Sequence, residues 1–267
     1  MKISSIFRKT LFDHRKAIIF WATGIILIGL MYAKIYPSVG GNANFTKAFS
    51  SAPEGFQAFI GSAEFFATPN GFIHAEFFAL TMPVIFCILA IVVGSSLISK
   101  EEESKTIELI LSRPINKSRI VYGKTLGMIT LIGWLGICIL FGLIIGRYLV
   151  SEFSINLVQV GLSALNLVLL SLVFGMLALM FSCVFGGRGI SAGLAGVYFI
   201  LSYMIGTFGD IINWLKPLKP ASLFTYYDTQ SILQGTIHWW HLLVLLSLII
   251  SMYGLSIVWF TRRDIRY

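Results

Sequence analysis

The stretch LVQVGLSALNLVLLSLVFGMLALMFSCVF, residues 157–185, contains no aspartate, glutamate, lysine or arginine. A helix needs about 20 residues to cross roughly 30 Å of hydrocarbon, so this stretch is long enough to span a bilayer. Lipid offers no hydrogen-bonding partner to backbone N–H and C=O groups, and a helix satisfies these groups internally. The stretch therefore predicts a transmembrane helix and indicates an integral membrane protein.

Five further apolar stretches of similar length accompany this one, at residues 17–36, 77–99, 123–146, 189–208 and 240–260. The chain is 57% hydrophobic and only 12% charged, with a mean hydropathy of +0.84. A soluble domain is about a quarter charged, so the deficit of charge is the sharper anomaly. We therefore predict an all-α integral membrane protein in which residues 1–267 form a single transmembrane domain of six helices.

The basic residues predict the orientation of these helices. Three quarters of the 20 lysines and arginines lie at one end of the spans, in residues 1–16, 100–124, 186–188 and 261–267. Because basic residues are enriched on the cytoplasmic side of a membrane protein, both termini are expected in the cytoplasm. We expect a multi-pass protein of the cell membrane.

Two other features of the composition have simple interpretations. The net charge of +8 does not indicate a nucleic-acid partner, because the basic residues lie beside apolar spans and do not form one basic face. Cys87, Cys138 and Cys183 all lie inside apolar runs and are interpreted as packing residues, not as a disulfide or zinc framework. The first span lacks a small-residue cleavage pattern, so it is expected to remain as an anchor.

Three segments outside the spans have amphipathic or aromatic patterns. Residues 1–16 are typical of a basic amphipathic helix on the inner leaflet. Residues 210–239 are rich in Trp, Tyr and Pro, which favours an interfacial aromatic belt or a partly inserted hairpin. Residues 37–76 contain an apolar stripe predicting a short helix that is interrupted by Pro53 and lies on the outer leaflet or caps the bundle: Phe45, Phe49, Ala52, Phe56, Phe59 and Ile60.

The segment KEEESKTIELILSRPINKSRIVYGK, residues 100–124, connects the second and third spans. Its apolar residues between 106 and 111 predict a short amphipathic helix, and Pro114 ends it. Such a helix at the bilayer surface is suitable for binding a cytosolic partner. The charge pattern alone favours a solvated loop between the helices, and from the residues both interpretations stay open.

This segment resembles the type-two ABC exporter permease family. The similarity consists of the glutamates at 101–103, the helix TIELIL at 106–111 and the step Ser112-Arg113-Pro114. The upstream stretches APEGFQAFIG at 52–61 and TPNGF at 68–72 are also similar. The match covers about residues 50–125, and Lys105 stands where many relatives have a glycine before the threonine.

The resemblance implies a coupling helix that seats in a groove of a separate ATP-binding subunit. The residues carried over as contacts to that subunit are Glu101, Glu102, Glu103, Thr106, Glu108, Leu109, Arg113 and Pro114. The implied assembly contains a dimer of cytosolic ABC ATPases, which bind ATP and magnesium, and a second copy of this chain or a related permease. This chain is then expected to be no enzyme and to hold no cofactor or metal.

The motif Gly123-Lys124-Thr125 looks like the end of a phosphate-binding loop. That loop requires a glycine at position 118, where this chain has Ser118, and a preceding strand, where a helix is predicted. Lys124 is instead interpreted as a cation that snorkels to the inner interface. Any ATPase must therefore be another chain.

Two further sites have a structural and a functional interpretation. The turn at residues 186–189 contains three glycines and is interpreted as a tight cytoplasmic turn, with a partner contact through Arg188 as the alternative. His238 and His241 have helical spacing that suits metal ligands, but the sequence places no acidic partner nearby. Interfacial packing among tryptophans is therefore favoured.

The spans contain almost no charge, which disfavours an ion-coupled carrier. Polar residues that can line a path are Thr81, Asn166, Ser171, Ser202 and Tyr203. Glycines at 94, 193, 196 and 206 either line the same path or allow close helix packing, and packing is favoured. A path poor in charge suits a hydrophobic or amphipathic substrate, such as a peptide, an antibiotic or a lipid. A membrane sensor or assembly protein without ATP-driven transport is the alternative.

Overall fold

A computed structural model describes residues 3–39, 62–103 and 117–263. The described part is almost entirely helical and contains no strand. The apolar stripe of residues 45–60 and the predicted coupling helix at 106–111 lie outside the described residues.

Nine α-helices, one π-helix and two 3₁₀ segments make up the described chain. They are α1 (Ile3–Val39), α2 (Ala63–Phe66), α3 (Pro69–Ile73), the π-helix His74–Thr81, α4 (Met82–Glu103), α5 (Lys117–Leu149), α6 (Leu157–Phe185), α7 (Arg188–Phe208), the 3₁₀ segments Asn213–Ala221 and Leu223–Tyr226, α8 (Thr229–Gln234) and α9 (Trp239–Arg262). Six helical stretches are long and apolar enough to cross a membrane: α1, the continuous run from α3 to α4, α5, α6, α7 and α9. The prediction of six spans is confirmed.

Three spans are several residues longer than predicted, and the third begins at Lys117 instead of residue 123. The N-terminal amphipathic segment and the first span form one continuous helix, because no proline or glycine interrupts the sequence before Gly24. The second span begins at Pro69, eight residues before the predicted start. Thr68 caps this beginning through a hydrogen bond from the Gly71 N–H, and proline suits the first helical position. Polar Asn70, His74 and Glu76 lower the local hydropathy and displaced the predicted boundary.

Helix α6 lies at the centre of the bundle and packs against α4, α5, α7 and α9. In its apolar window 72% of the residues are buried, against 17% for α1, 22% for α7 and 17% for α9. Helices α1, α7 and α9 therefore expose apolar faces that suit lipid or a neighbouring subunit.

Glycines set the closest helix contacts. A Cβ atom on Gly94 of α4 would lie 2.1 Å from the carbonyl oxygen of Gly175 on α6, so the two backbones approach directly. On α5, a Cβ atom on Gly146 would lie 2.5 Å from the Cβ of Ala33 on α1. Small residues allow this kind of backbone approach between membrane helices. Of the two interpretations given for Gly94, path lining or close helix packing, the structure therefore supports packing.

The two ends of the bundle are chemically distinct. We call the end that holds residues 5–16, 100–103, 117–124, 186–188 and 261–263 the terminal face, and the other end the opposite face. At the opposite face, residues 209–238 fold back over the bundle as short helices and not as a hairpin. Leu223, Ile232 and Leu233 are buried there, whereas Trp214, Trp239 and Trp240 stay exposed, as an aromatic belt requires.

Candidate functional site: the glutamate cluster on the terminal face

Three consecutive glutamates end helix α4 on the terminal face, directly before residues 104–116. Successive residues of an α-helix point about 100° apart, so Glu101, Glu102 and Glu103 face three directions. Each of them reaches a different part of the bundle. We call these three residues the glutamate cluster.

Glu101 joins α4 to α1 and α5. Its Oε1 lies 3.1 Å from Nζ of Lys9, and its Oε2 lies 2.7 Å from Nζ of Lys124. Only 9% of Glu101 and 6% of Lys124 is exposed, while the Lys9 side chain is half-exposed. The pair of Glu101 and Lys124 is therefore an ion pair in the protein interior.

The prediction that Lys124 snorkels to the interface is wrong. Lys124 lies on the face of α5 that packs against α4, and its ammonium group also donates a hydrogen bond to the carbonyl of Leu97. A buried lysine needs a charged partner and satisfied hydrogen bonds. Glu101 and the Leu97 carbonyl supply both, so the side chain has no reason to extend to water.

Glu102 joins α4 to the end of α9. Both of its carboxylate oxygens accept from the Arg263 guanidinium, at 3.1 Å and 3.3 Å, which is the two-bonded geometry that arginine favours with carboxylates. Arg263 also donates to the carbonyls of Ser182 and Cys183 in the last turn of α6. A cation at a helix C-terminus is stabilised by the helix dipole.

Gly186 makes room for this ion pair. It ends α6 in the left-handed region, at φ +74°, which glycine adopts without strain. A Cβ atom at this position would lie 2.1 Å from Nη2 of Arg263 and 2.7 Å from Oε2 of Glu102. The predicted tight turn therefore has a second role. Because Gly186 has no side chain, the carboxylate of Glu102 and the guanidinium of Arg263 have room to meet beside it.

Glu103 joins α4 to α7. Its Oε1 accepts a hydrogen bond of 3.1 Å from the backbone N–H of Arg188, the first residue of α7. This N–H group is one of those at the start of a helix that have no partner within the helix, and Glu103 satisfies it. A negative charge there is also favoured by the dipole of α7.

Arg263 connects to both flanks of residues 104–116. Its guanidinium binds Glu102, just before that segment, and its backbone carbonyl accepts a hydrogen bond of 3.1 Å from Nζ of Lys117, just after it. The end of α9 therefore ties together the two helices that hold the segment.

The predicted contact residues fall into three groups. Glu101 and Glu102 have side chains that are only 11% exposed and are paired within the chain. Glu103 is exposed, and so is Arg188, whose side chain stays a candidate contact. Outside the described residues lie Thr106, Glu108, Leu109, Arg113 and Pro114, for which the contact role stays a prediction.

The sequence singled out the glutamates but not their partners. Lys9, Lys124 and Arg263 are separated from them by up to 161 residues, so no local spacing links the groups. The one sequence feature that pointed to such a partner was Lys124, a single lysine inside the predicted third span. A charge among apolar residues requires a partner of opposite sign.

The predicted path-lining residues do not share one surface. Asn166 and Ser171 of α6 are 1% and 0% exposed, and the Ser171 hydroxyl donates to the carbonyl of Val168 within its own helix. Thr81 ends the π-helix and donates to the carbonyl of Glu76 at 2.8 Å. For these three residues the path-lining role stays a prediction.

Ser202 and Tyr203 lie at the opposite face. Ser202 is 1% exposed and exchanges hydrogen bonds with Ser222 and the N–H of Leu223, so it fixes residues 222–223 to α7. Tyr203 lines a cavity of about 180 Å³ between α7 and the short helices, together with His74, Thr207, Asp210, Tyr227 and Asp228. Burial raises the pKa of the Tyr227 hydroxyl well above its ordinary value, so this phenol stays protonated. Of the five candidates, Tyr203 therefore reaches a polar cavity.

His238 and His241 have an acidic neighbour, contrary to the sequence interpretation. Oδ2 of Asp228 lies 3.1 Å from Nδ1 of His238 and 4.0 Å from Nδ1 of His241. The sequence concealed this proximity, because residues 235–238 form a turn that returns the chain to Asp228. The premise that no acidic residue lies near the two histidines is therefore wrong.

The glutamate cluster, the six spans and the sequence pattern of residues 100–124 point to one kind of membrane protein. No curated protein matches the sequence. The family described as "ABC-2 family transporter protein" matches residues 4–265, nearly the whole chain. Members of this family are transport subunits that generally work with a cytosolic ABC ATPase. The chain belongs to the ABC-2 family and is a multi-pass transmembrane subunit of an ABC transporter.

Proposed function

We propose that this chain is the permease of an ATP-driven exporter and that residues 104–116 on its terminal face bind a cytosolic ATPase subunit. The observation that carries the proposal is the glutamate cluster, which joins α4 to α1, α5, α7 and α9 at the base of that segment. In this proposal the terminal face is cytoplasmic, in agreement with its excess of lysine and arginine.

Closure of an ATPase dimer acts on a permease only through an element that moves as a unit. Residues 104–116 are held between α4 and α5, and both flanks contact Arg263. A push on this segment therefore reaches α9 through Glu102 and Lys117, α1 and α5 through Glu101, and α7 through Glu103. Coupling between distant sites travels through such connected networks.

The proposal divides the predicted contact residues by role. Glu101 and Glu102 are internal links, because both are largely buried and paired. Thr106, Glu108, Leu109, Arg113 and Pro114 form the surface that meets the ATPase, and Glu103 and Arg188 border it. ATP and magnesium bind to the partner subunit.

A second permease copy, or a related permease, completes the assembly. Helix α7 supports this part of the proposal, because a Cβ atom on Gly189, Gly193 or Gly196 would meet nothing within 4 Å. These glycines recur at helical spacing on a helix that is little buried, and small residues let a second helix approach closely. Here the packing partner expected for Gly193 and Gly196 belongs to another subunit.

The transported molecule is proposed to be an amphiphile, such as a peptide, an antibiotic or a lipid. The spans place almost no charge at membrane depth, and the cavity beside Tyr203 has hydroxyl, imidazole and carboxylate groups at its mouth. An apolar pathway with a polar end suits a molecule with both characters. A sensor without transport is the alternative, and transport assays distinguish the two.

The test uses the tagged chain purified from its own cells and then reconstituted in vesicles. We expect an ABC ATPase to co-purify and the vesicles to show ATP-dependent efflux of an amphiphilic dye or peptide. The double variant Glu103→Lys/Glu108→Lys should insert normally but lose the ATPase, because two charges of the proposed contact surface are reversed. Lys16→Glu, on the same face but away from the segment, should keep it.

Two results would contradict these proposals. If no ATPase co-purifies and no efflux occurs, the chain is not the permease of an ATP-driven exporter. If the double variant retains its ATPase as well as Lys16→Glu does, the contact surface lies elsewhere.

A further inference from the structure

Three side chains with metal-binding atoms meet at the opposite face. Asp228 precedes α8, and His238 and His241 lie at the beginning of α9. One ligand atom from each lies within 4.8 Å of the other two. All three side chains are partly exposed, with 24%, 50% and 26% of their surface accessible, so an ion from the solvent can reach them.

The carboxylate of Asp228 is held in a fixed orientation. Its Oδ1 accepts a hydrogen bond of 3.1 Å from the backbone N–H of Ser231 and thereby caps α8. This bond directs Oδ2 at the two imidazole rings. A ligand whose second oxygen is held by a hydrogen bond is typical of protein metal sites, where such outer contacts orient the ligands.

The His241 ring carries an unsatisfied atom on the side that faces Asp228. Its Nδ1 is inaccessible to solvent and has no hydrogen-bond partner among the described residues. At 4.0 Å from Oδ2, it is too far away to donate a hydrogen bond. The ring itself is held in place by an edge-on contact with Tyr226, and the two histidine ring centres are 5.3 Å apart. A buried polar atom without a partner carries a free-energy penalty, which a bound cation removes.

We propose that Asp228, His238 and His241 bind a zinc ion, with water as a fourth ligand. Zinc favours imidazole nitrogen and carboxylate oxygen at about 2.0–2.2 Å in a tetrahedral arrangement. Two such ligands are then about 3.3 Å apart. The 3.1 Å separation of His238 and Asp228 already fits this distance, and zinc binding requires the 4.0 Å separation of His241 and Asp228 to shorten toward it.

Zinc at this position joins two structural elements. The ion links the beginning of α8 to the beginning of α9 across the turn that contains Gly235, which adopts a positive φ of +99°. Asp228 also lines the cavity beside Tyr203. Zinc binding therefore fixes one wall of that cavity and the start of the last span.

The experiment uses the full-length chain in lipid nanodiscs, purified through a tag that contains no histidine. Zinc chloride is titrated by calorimetry, and cobalt chloride is titrated in parallel because tetrahedral cobalt has a visible absorption spectrum. The informative variants are Asp228→Asn, whose amide oxygen still caps α8, and His241→Phe, which keeps the contact with Tyr226. His14→Ala, on the terminal face, is the matched control.

We expect one zinc ion per chain and a tetrahedral cobalt spectrum. Loss of an outer-contact residue weakens metal binding by about 10- to 100-fold, so each ligand variant should lower the affinity by about 100-fold or more. His14→Ala should bind zinc as the parent chain does. Equal melting temperatures of Asp228→Asn and the parent chain without metal would show that the fold is intact.

Two results overturn the proposal. One is the absence of saturable zinc binding by the parent chain, which would leave only the hydrogen bond between His238 and Asp228 at this site. The other is zinc binding that survives Asp228→Asn and His241→Phe unchanged, which places the ion elsewhere. Neither result affects the proposed exporter function, because ATPase binding is measured on the other face.

Discussion

At the scale of single residues, removing one partner of the Glu101–Lys124 ion pair is expected to cost more stability than removing both partners. Forming a buried ion pair contributes little net stability, because desolvation of both charges offsets their attraction. Removing one partner is different, since it leaves the other charge in the interior. The terminal face is therefore sensitive to the loss of one charge and tolerant of the loss of both.

This asymmetry predicts the behaviour of Lys124→Met. We expect it to destabilise the protein strongly, because breaking a buried pair from one side costs about 3–5 kcal/mol. Lys9→Met is the control, since this half-exposed partner should contribute about 0–1 kcal/mol. Thermal unfolding in detergent measures both variants.

The double variant Glu101→Met/Lys124→Met is expected to recover most of the stability that Lys124→Met loses. Equal melting temperatures for Lys124→Met and Lys9→Met would contradict a buried pair.

At the scale of helices, the contact between α4 and α6 depends on backbone proximity. Gly94 lies so near the Gly175 carbonyl that a methyl group requires the helices to separate. Tightly packed interiors do not absorb such a displacement without loss of stability. This contact also positions the end of α4, where the glutamate cluster lies.

Gly94→Ala is therefore expected to lower the yield of monodisperse protein in size-exclusion chromatography and to lower its melting temperature. Gly161→Ala is the matched control on α6, because a Cβ atom there meets nothing within 4 Å. Alanine is a better helix former than glycine by up to about 1 kcal/mol, so this control should be neutral or stabilising. The close contact would be refuted if both variants behaved alike.

Much of the helical architecture was predictable because each span is a local property of the sequence. Hydropathy located all six spans, and the ends of α1, of the second span and of α5 were wrong by several residues. The π-helix His74–Thr81 was not predicted, because one extra residue in a turn leaves the apolar pattern unchanged. The glutamates were conspicuous as a charge run, whereas Lys9, Lys124 and Arg263 become their partners only through folding.

At the scale of the whole molecule, the proposed function makes the glutamate cluster a link between stability and transport. Ion pairs join α4 to α1, α5 and α9, and a backbone hydrogen bond joins α4 to α7. In the proposal, the loss of one of these contacts changes how a movement of α4 is transmitted to the other helices. Mutations within such networks change coupling by about 0.5–2 kcal/mol, which corresponds to about 2- to 30-fold.

Glu102→Gln tests this link. The variant keeps the size of the side chain but loses the charge that binds Arg263, so we expect normal insertion and normal ATPase binding. The amount transported per ATP hydrolysed should fall by about 2- to 30-fold. Efflux and phosphate release measured in the same vesicles give this ratio.

The control for Glu102→Gln is Lys219→Met, which removes a comparable ion pair with Asp210 at the opposite face. It should leave the ratio unchanged. An unchanged ratio in Glu102→Gln would show that the ion pair with Arg263 carries no coupling.

The double contact of Arg263 also has a consequence for biosynthesis. The ribosome adds this residue more than 140 residues after the segment whose two flanks it holds. Until the sixth span is made, Glu101 and Glu103 already hold the base of that segment, but the tie through Arg263 is absent. We therefore expect the terminal face to reach its final structure only after the sixth span has been inserted.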